Sequence, residues 1–441
     1  MKTLPLLLLA LLTTLSTPVP AAAVKDREGA VRGDRAAMSK DERWIYNDID
    51  RGFAEAARTG KPLLVLLRCI PCESCMGIDA GILNAAELQP LLDQFVCVRL
   101  INANAIDLSL FQFDYDLSLS TLFFHADRTI YGRFGSWQHQ KDSADTSTAG
   151  FKAALTSVLA LHRSYPTNKQ ALVPKQCPPP PAKIPVEIPS LADKYTRELD
   201  WSGKVVQSCV HCHQVGEAFR ASYRNQGKPI PPELLFPMPP PETVGISLDP
   251  AQPRRVAAVT PDSPAARAGV QTDDDIVALN GTPLISVADF AWALHRSPES
   301  GLLILNIARA GTSRELLVTL DAGWRQKSEI SARVGSWQLR GMALGGLRLE
   351  DLQDDERNSR NLPRESMALL VKHAGEYGLH AAAKHAGFRK DDVLVAIDNL
   401  TTRISESGLM GHLITKHLPG ETVRATVLRG DSRIELNLPI Q

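Results

Sequence analysis

The fold of the first part of this chain is decided by residues 63–75, whose sequence is LLVLLRCIPCESC. The five apolar residues at 63–67 are typical of a strand that is buried on both faces of a sheet. Cys72 and Cys75 follow as a C-x-x-C pair, and the spacing of apolar residues over 78–92 predicts a helix after them. The stretch therefore predicts a strand, two thiols and a helix in that order.

The neighbouring segments extend this pattern to an α/β domain. Helical spacing over residues 44–58 precedes it, and residues 95–100 form a second apolar strand. Cys97 lies in that strand, so we expect a buried apolar residue there and no reactive thiol. Two further short strands, at 122–124 and 130–134, predict a hairpin.

This order resembles a thioredoxin fold, and residues 40–165 resemble an exported thioredoxin-like domain with GKPLLV at 60–65 before the motif. The resemblance implies thiol–disulfide exchange with a redox partner, with Cys72 as the attacking thiol and Cys75 as the resolving thiol. A cysteine in the first turn of a helix is favoured as the thiolate, whereas the charge of Glu73 opposes it. The alternative is a static disulfide that fixes the start of the helix.

A second C-x-x-C pair carries a different signal. Cys209, Cys212 and His213 form C-x-x-C-H, the attachment sequence of c-type haem, in which two thiols form thioethers and the histidine binds iron. We therefore predict haem c in a small segment at 191–242. Met238, in a Phe-Pro-Met-Pro setting, is the candidate for the second axial ligand. Helical spacing is predicted at three places in this segment: 191–199, 201–207 and 217–223.

Other uses of these cysteines remain open. Zinc bound by Cys209, Cys212, a histidine and the more distant Cys177 is one alternative, and a second disulfide is another. Cys69 adds a third thiol ahead of Cys72, but an iron–sulfur cluster needs a fourth cysteine at short spacing and none follows.

The C-terminal half contains a repeat. Residues 268–281, AGVQTDDDIVALNG, align with 386–399, AGFRKDDVLVAIDN, at an offset of 118 residues. A helix is predicted after each copy, at 287–294 and 409–416. The pattern resembles bacterial PDZ domains, which suggests a PDZ domain at 243–322 and a PDZ-like domain at 335–441.

PDZ domains bind a peptide by adding it as a strand to a sheet edge while a glycine-containing loop holds the terminal carboxylate. In the second copy the corresponding loop would be 341–347, which a charged insertion at 350–365 follows. We expect the first copy to bind a protein or peptide partner and the second to be structural. Neither a G-x-S-x-G elbow nor an H-E-x-x-H helix occurs, so the motifs do not support a protease. The candidate loop and strand of the first copy are Val244, Gly245, Ile246 and Ser247.

Two proline-dense stretches divide the chain. Eight prolines lie in 166–190 and seven in 229–241. Because proline cannot donate a backbone hydrogen bond and fixes its own backbone, we expect a semi-rigid linker at 166–190 that stays out of any core.

The N-terminus and the composition bound the remaining possibilities. Residues 1–23 have the charge, leucine run and small residues of a signal peptide, so we expect an exported, periplasmic or extracytoplasmic protein. No later segment is apolar over the roughly 20 residues that a membrane span needs. Lys+Arg and Asp+Glu both number 49, which argues against a nucleic-acid partner.

Taken in order, these segments resemble an exported bacterial thioredoxin-like/PDZ family, some of whose members are selenoproteins. The predicted fold is multidomain, α/β plus α+β: a thioredoxin-like domain, a small helical segment and two PDZ-like β-rich domains. The predicted function is an exported redox protein that combines dithiol chemistry, haem electron transfer and peptide binding. The alternative is a non-catalytic PDZ adaptor or scaffold with structural cysteines.

Overall fold

The computed structural model of this chain describes residues 26–70, 82–117, 119–135 and 147–441. The strands are β1 (Trp44–Tyr46), β2 (Leu63–Arg68), β3 (Val96–Leu100), β4 (Leu119–Phe124), β5 (Ile130–Phe134), β6 (Ile246–Asp249), β7 (Gln252–Val259), β8 (Asp275–Leu279), β9 (Thr282–Pro283), β10 (Gly301–Arg309), β11 (Thr312–Leu320), β12 (Leu347–Asp351), β13 (Leu369–Ala374), β14 (Val393–Ile397), β15 (Thr422–Arg429) and β16 (Ser432–Pro439). The α-helices are Arg27–Met38, Ile49–Thr59, Gln89–Leu92, Thr148–Arg163, Lys169–Leu172, Pro189–Ala192, Cys212–Asn225, Pro232–Leu235, Pro264–Arg267, Val287–His295, Ser336–Leu344, Asp354–Ser359, Ala382–His385 and Glu406–Lys416.

The first sheet has the order β1-β3-β2-β4-β5. Strand β2 is parallel to β3 and antiparallel to β4, and β4 and β5 form the expected hairpin. Phe53 and Ala56 of the helix Ile49–Thr59 pack on one face of this sheet, and Phe151 and Leu155 of Thr148–Arg163 pack on the other. Because helices cover both faces, β2 is buried along its whole length, as its continuous apolar sequence predicts.

Some predicted helices in this region are wrong or shorter than expected. Trp44 lies in β1, where it is opposite Cys97 of β3, and the helix begins only after Asp48, whose side chain caps it. Of the helix predicted over 78–92, residues 78–81 lie outside the described residues, and only the short helix Gln89–Leu92 remains after a 3₁₀ turn. Cys97 is buried as expected, and burial raises its pKa to about 12.

The C-terminal half forms two further sheets. Strands β11-β10-β8-β7-β6 make the second sheet, with β9 added to β8, and β12-β13-β14-β15-β16 make the third. The helices Val287–His295 and Glu406–Lys416 pack on these sheets at the places that the repeat predicts. The two copies therefore share one arrangement of strands and helix.

The prediction of a linker that stays out of any core at 166–190 is wrong. Leu172 and Ile188 are each 1% exposed and pack on opposite faces of the first sheet. The reason is composition: apolar residues alternate with the prolines here and anchor the segment to the sheet. Phe236, in the second proline-dense stretch, likewise packs into the core of the third sheet.

Buried ion pairs join the modules to one another. Lys175 Nζ lies 2.6 Å from Asp289 Oδ2 of the helix Val287–His295, and both side chains are 1% exposed. Arg333, between the two repeat copies, pairs with Asp114 at 2.8 Å and with Asp116 at 3.1 Å. The first sheet is thus fixed to both C-terminal sheets. Within the described residues, no helix is long and apolar enough to cross a membrane.

Candidate functional site

The first part of the site is the end of strand β2. This strand pairs with β3 on one side and β4 on the other, and Cys69 follows its last residue, Arg68. Cys72 and Cys75 lie outside the described residues, so their predicted roles stay predictions. Cys69 is therefore the one cysteine of the first motif whose surroundings the structure describes.

The second part is the segment with C-x-x-C-H. The helix predicted over 217–223 is confirmed and begins earlier, with Cys212 as its first residue and His211 as the N-cap. His211 N donates to Gln214 Oε1 at 2.8 Å, and the His211 side chain accepts from the Gln214 backbone, which closes a capping box. Residues 201–207 form turns and bends instead of the predicted helix, and of 191–199 only the first two residues are helical.

Asn104 of the first domain holds this segment in place. Its Oδ1 accepts a hydrogen bond from Val210 N at 2.7 Å, and its Nδ2 donates to the carbonyl oxygens of Ser208 at 2.8 Å and Thr196 at 2.7 Å. Asn104 is fully buried, so each of these bonds satisfies a group that water does not reach. The segment is thereby docked on the first sheet and does not form a separate domain around a cofactor.

Docking brings three thiols together. Cys69 Sγ lies 3.3 Å from His211 Nδ1, and Cys69, Cys209 and Cys212 line one apolar cavity of about 30 Å³. Burial raises the pKa of Cys209 to about 11. Burial, and then the neighbouring sulfurs of Cys69 and Cys209, raise the pKa of Cys212 further.

The other predicted ligands lie apart from this cavity. His213 Nδ1 pairs with Glu217 Oε1 at 3.0 Å one turn along the same helix. Met238 packs with Cys177 and with Trp292 of the helix Val287–His295 in a separate cluster. Thus neither Met238 nor Cys177 is among the residues that line the cysteine cavity. Within the described ranges, no group of three or more histidine, cysteine or acidic side chains is arranged to hold a metal ion.

The space at Cys209 and Cys212 is small for a porphyrin. A cavity of about 30 Å³ holds one or two water molecules, whereas haem is a flat group of more than forty heavy atoms. The Cys209 thiol points at the backbone, donating to Ile101 O at 3.6 Å and Val210 O at 3.5 Å. In this packing the residues present do not fit haem, because the segment at 191–242 and the first sheet would have to separate to admit the ring.

The candidate peptide site of the first repeat copy lies at β6. Within the described residues β6 pairs with β7 alone, so it is an edge strand of its sheet. Gly245 precedes it with φ of 89°, and a Cβ there would lie 2.1 Å from Ser263. Val244 and Ile246 are buried and Ser247 is half-buried. Ile246 and Leu248 of β6 pack in the same buried core as Val287, Phe290 and Leu294 of the helix Val287–His295.

The corresponding site of the second copy is closed. Of the predicted loop at 341–347, the residues up to Leu344 belong to the helix Ser336–Leu344, which corrects that prediction. Glu406 Oε1 accepts a hydrogen bond from Leu349 N of the edge strand β12 at 2.7 Å. A peptide that added to β12 would have to displace this carboxylate.

The sequence analysis missed the residues that assemble the cysteine cavity. The helix Arg27–Met38 covers it with Val31, and Glu28 accepts hydrogen bonds from the backbone of Val205 and Val206. Neither this helix nor Asn104 has a sequence motif. The one available signal was the N-cap Asp26, which is followed by an acidic first turn.

Family models match two parts of this chain. A thioredoxin-like model matches residues 44–126, and a PDZ domain model matches residues 255–309. The chain therefore contains a thioredoxin-like domain and a PDZ domain.

Curated relatives share a smaller part of their length with it. The chain is 30% identical over 147 residues to the periplasmic pH-dependent serine endoprotease DegQ of Escherichia coli (strain K12), which covers 32% of this chain and 28% of DegQ. It is 29% identical over 144 residues to a probable periplasmic serine endoprotease DegP-like of Pseudomonas savastanoi pv. phaseolicola, covering 33% of this chain and 29% of that protein. The chain thus spans less than a third of the length of these relatives.

Solved structures give weaker similarity. The HtrA-type protease AlgW with decapeptide matches with a TM-score of 0.20 and 17% identity, covering 31% of this chain and 41% of AlgW. An aminopeptidase N family protein from Idiomarina loihiensis matches with a TM-score of 0.15 and 23% identity, covering 24% of this chain and 19% of that protein. Neither similarity is close enough to carry an argument about this chain.

Proposed function

We propose that this protein is an exported thiol–disulfide exchange protein whose dithiol is Cys72 and Cys75 and whose first PDZ copy holds the partner. The observation that carries this proposal is the position of the cysteines directly after β2, the central buried strand of a thioredoxin-like sheet. In the sequence the motif follows this rigid strand, and a rigid neighbour suits a reactive group that must meet a partner.

The chemistry needs no cofactor. The Cys72 thiolate attacks a disulfide of the partner, which forms a mixed disulfide and releases one partner thiol. Cys75 then attacks the Cys72 sulfur, which forms the Cys72–Cys75 disulfide and releases the second partner thiol. Two electrons and two protons pass to the partner, and the reverse sequence oxidises it.

The edge strand β6 supports peptide binding as the second half of this function. A partner strand that adds to β6 would gain main-chain hydrogen bonds, with the loop at Val244 and Gly245 receiving its carboxylate. The Lys175–Asp289 pair fixes this PDZ copy to the thioredoxin-like domain, so a bound peptide would be held at a constant place relative to β2.

Export is supported by two observations. Residues 1–23 have the pattern of a signal peptide, and the curated relatives are described as periplasmic. Partners with disulfides are found in that compartment. The relatives are also described as serine endoproteases, but this chain lacks a G-x-S-x-G elbow, and we do not propose proteolysis for it.

Insulin reduction with dithiothreitol as the electron source tests the proposal. The wild-type chain is expected to accelerate insulin precipitation, and Cys72→Ser is expected to lose this activity. Cys177→Ser is the matched control, because Cys177 lies beside Trp292 and away from β2. Equal, negligible rates for the wild type and Cys72→Ser would favour the alternative, a PDZ adaptor with inert cysteines.

Covalent haem c at Cys209 and Cys212, with His213 and Met238 as axial ligands, is a second candidate. The C-x-x-C-H spacing and the start of a helix at Cys212 favour it, whereas the small cavity and the separate position of Met238 oppose it. A pyridine haemochrome spectrum of protein made with a cytochrome maturation system decides this point, since a covalent c-type spectrum is expected only if the segment opens.

A further inference from the structure

The cysteine cavity holds three thiols that the proposed reaction of Cys72 and Cys75 does not use. Cys69 comes from the end of β2, and Cys209 and Cys212 come from a segment about 140 residues further on, with Cys69 and His211 separated by 142 positions. Asn104 and the helix Arg27–Met38 hold the two parts of the chain together around these sulfurs. Each of these cysteines could pack alone as a small apolar residue, but the fold places all three on one cavity.

The surroundings give the three thiols different positions. Cys209 donates to two backbone carbonyls, Ile101 O and Val210 O, and therefore points into the protein. Cys212 begins the helix Cys212–Asn225. Burial, and then the sulfurs of Cys69 and Cys209, raise the pKa of its thiol. All three cysteines line the same cavity, and Cys209 and Cys212 are three positions apart in the sequence.

The thiol of Cys69 has a basic neighbour. His211 Nδ1 lies 3.3 Å from Cys69 Sγ, at hydrogen-bond distance. Cys209 instead directs its thiol at backbone carbonyls, and the residues that line the cavity are apolar or cysteine apart from Arg68 and His211. Of the three, Cys69 is the thiol best placed to react first.

We propose that Cys69, Cys212 and Cys209 form a second redox site, in which a Cys69–Cys212 disulfide is the intermediate and a Cys209–Cys212 disulfide is the product. This inference rests on the proposed thiol–disulfide function and adds to it a dithiol that stores two electrons. The substrate class is a disulfide small enough to reach Cys69, and oxidised glutathione is the probe.

Each step is a thiol–disulfide exchange. Cys69 attacks the glutathione disulfide as its thiolate, which forms a Cys69–glutathione disulfide and releases one glutathione thiolate that takes up the proton that Cys69 lost. Cys212 then attacks the Cys69 sulfur as its thiolate, which forms Cys69–Cys212 and releases the second glutathione thiolate, which takes up the proton that Cys212 lost. Cys209 attacks the Cys212 sulfur, which forms Cys209–Cys212 and returns Cys69 to a thiol. Overall, one disulfide is reduced and one dithiol is oxidised.

The experiment traps the intermediate in a full-length chain that carries Cys72→Ser and Cys75→Ser. These two substitutions remove the first dithiol, so a failure of the trap is independent of the insulin assay. The reduced protein is treated with oxidised glutathione, the remaining thiols are alkylated, and non-reduced peptides are analysed by mass spectrometry.

In this background Cys209→Ser is expected to accumulate the peptide pair linked through Cys69 and Cys212, because the resolving thiol is gone. Adding Cys69→Ser is expected to abolish the linked pair. Cys177→Ser is the matched control and is expected to leave both the linkage and its rate unchanged. The unsubstituted background is expected to yield Cys209–Cys212 in place of the intermediate.

Three results would overturn the proposal. The first is failure of Cys209→Ser to form Cys69–Cys212 although its far-ultraviolet circular dichroism and thermal midpoint match the background. The second is formation of Cys209–Cys212 at an equal rate in Cys69→Ser. The third is zinc bound at one equivalent with all three thiols protected from oxidised glutathione. His211→Asn removes the imidazole that lies 3.3 Å from Cys69 Sγ and is expected to slow the formation of the Cys69–Cys212 pair in the same trap.

Discussion

The two copies of the C-terminal repeat share a buried ion pair at the same aligned position. Asp274 in the first copy pairs with Arg309 at 2.6 Å, and Asp392 in the second pairs with Arg429 at 2.7 Å. Each aspartate is at most 1% exposed and also accepts a hydrogen bond from the backbone three residues before it. This pair fixes the turn before β8 and β14, so the framework of both copies depends on it.

The copies differ at the start of the helix that follows. In the first copy Asp289 points outward to Lys175 and to the backbone of Arg133 in the thioredoxin-like domain. In the second, Glu406 points inward to Arg340 and to the edge strand at Leu349. One acidic residue therefore docks a domain and leaves its edge strand open, whereas the other closes its own edge. The same framework therefore places an acidic side chain against another domain in the first copy and against its own edge strand in the second.

Removing the charge of Asp289, which points outward, should have the largest effect on the free energy of unfolding. Asp289→Asn leaves Lys175, which is 1% exposed, without its counter-charge, and burial already lowers the pKa of Lys175. We expect a loss of about 3–5 kcal/mol in the free energy of unfolding, measured by urea titration. The double variant Lys175→Met/Asp289→Asn removes the unpaired charge and keeps an oxygen that accepts from Arg133 N, so it should recover part of this loss. Wild-type stability of Asp289→Asn would contradict the docking role.

Removing the inward charge should cost less. Glu406→Gln weakens the pair with Arg340, but Arg340 keeps its bonds to Ser336 Oγ and Ser331 O. We expect a loss of about 2–3 kcal/mol, measured in the same titration. Glu435→Gln, at a residue whose side chain is 67% exposed, is the matched control and should be neutral. An equal effect of both variants would show that Glu406 does not hold the edge strand.

Transferring the closing charge to the first copy should reduce peptide binding. Val287 is the first residue of its helix, as Glu406 is of the other, so Val287→Glu places a carboxylate beside β6. We expect about tenfold weaker binding of a peptide with a free, apolar C-terminus, which corresponds to about 1.4 kcal/mol. Fluorescence anisotropy measures it, with Val287→Ala as the control for lost packing. Equal binding by Val287→Glu and Val287→Ala would show that a carboxylate at this helix position does not close the edge strand to a peptide.

The sequence predicted the framework of these regions well because periodic apolar residues determine it. The apolar run at 63–67, the hairpin at β4 and β5 and the helix at Val287 follow from local spacing, and the structure has all three. The aligned repeat likewise became two sheets of the same strand order.

Long-range contacts could not be predicted from such spacing. Cys69 meets His211 only because Asn104 docks one segment on the other, and no local pattern encodes that contact. The expected linker failed for a related reason, because proline content predicts stiffness but not whether the apolar residues between the prolines, such as Ile188, find a surface. The direction of the Glu406 side chain could not be predicted either, because it depends on Arg340 in a different helix.

A last difference between the copies concerns a turn. Asn280 in the first copy accepts a hydrogen bond from Ile304 N at 2.8 Å and carries no charge. The aligned residue in the second copy is Asp398, whose Oδ2 lies 2.7 Å from His412 Nε2 and 3.0 Å from His417 Nε2. Glu421 Oε2 also lies 2.7 Å from His417 Nδ1. The turn is neutral in one copy and ionic in the other.

This turn should give the second copy a weak pH dependence that the neutral turn of the first copy does not contribute. Burial alone would lower the pKa of His417, but the bonds to Asp398 and Glu421 outweigh it and raise the pKa above the ordinary value. Because the folded-state pKa is the higher one, this stabilisation is fully present below about pH 6.5, the unfolded value, and is lost as the pH rises through the folded value. We expect a change below about 1 kcal/mol, since the pair is partly solvated, seen as a lower thermal midpoint at pH 8.5 than at pH 6. His417→Gln should reduce that difference, and His385→Gln, at an exposed position, should preserve it. An identical pH dependence in wild type and His417→Gln would show that the contacts of His417 with Asp398 and Glu421 do not contribute to the stability of the second copy.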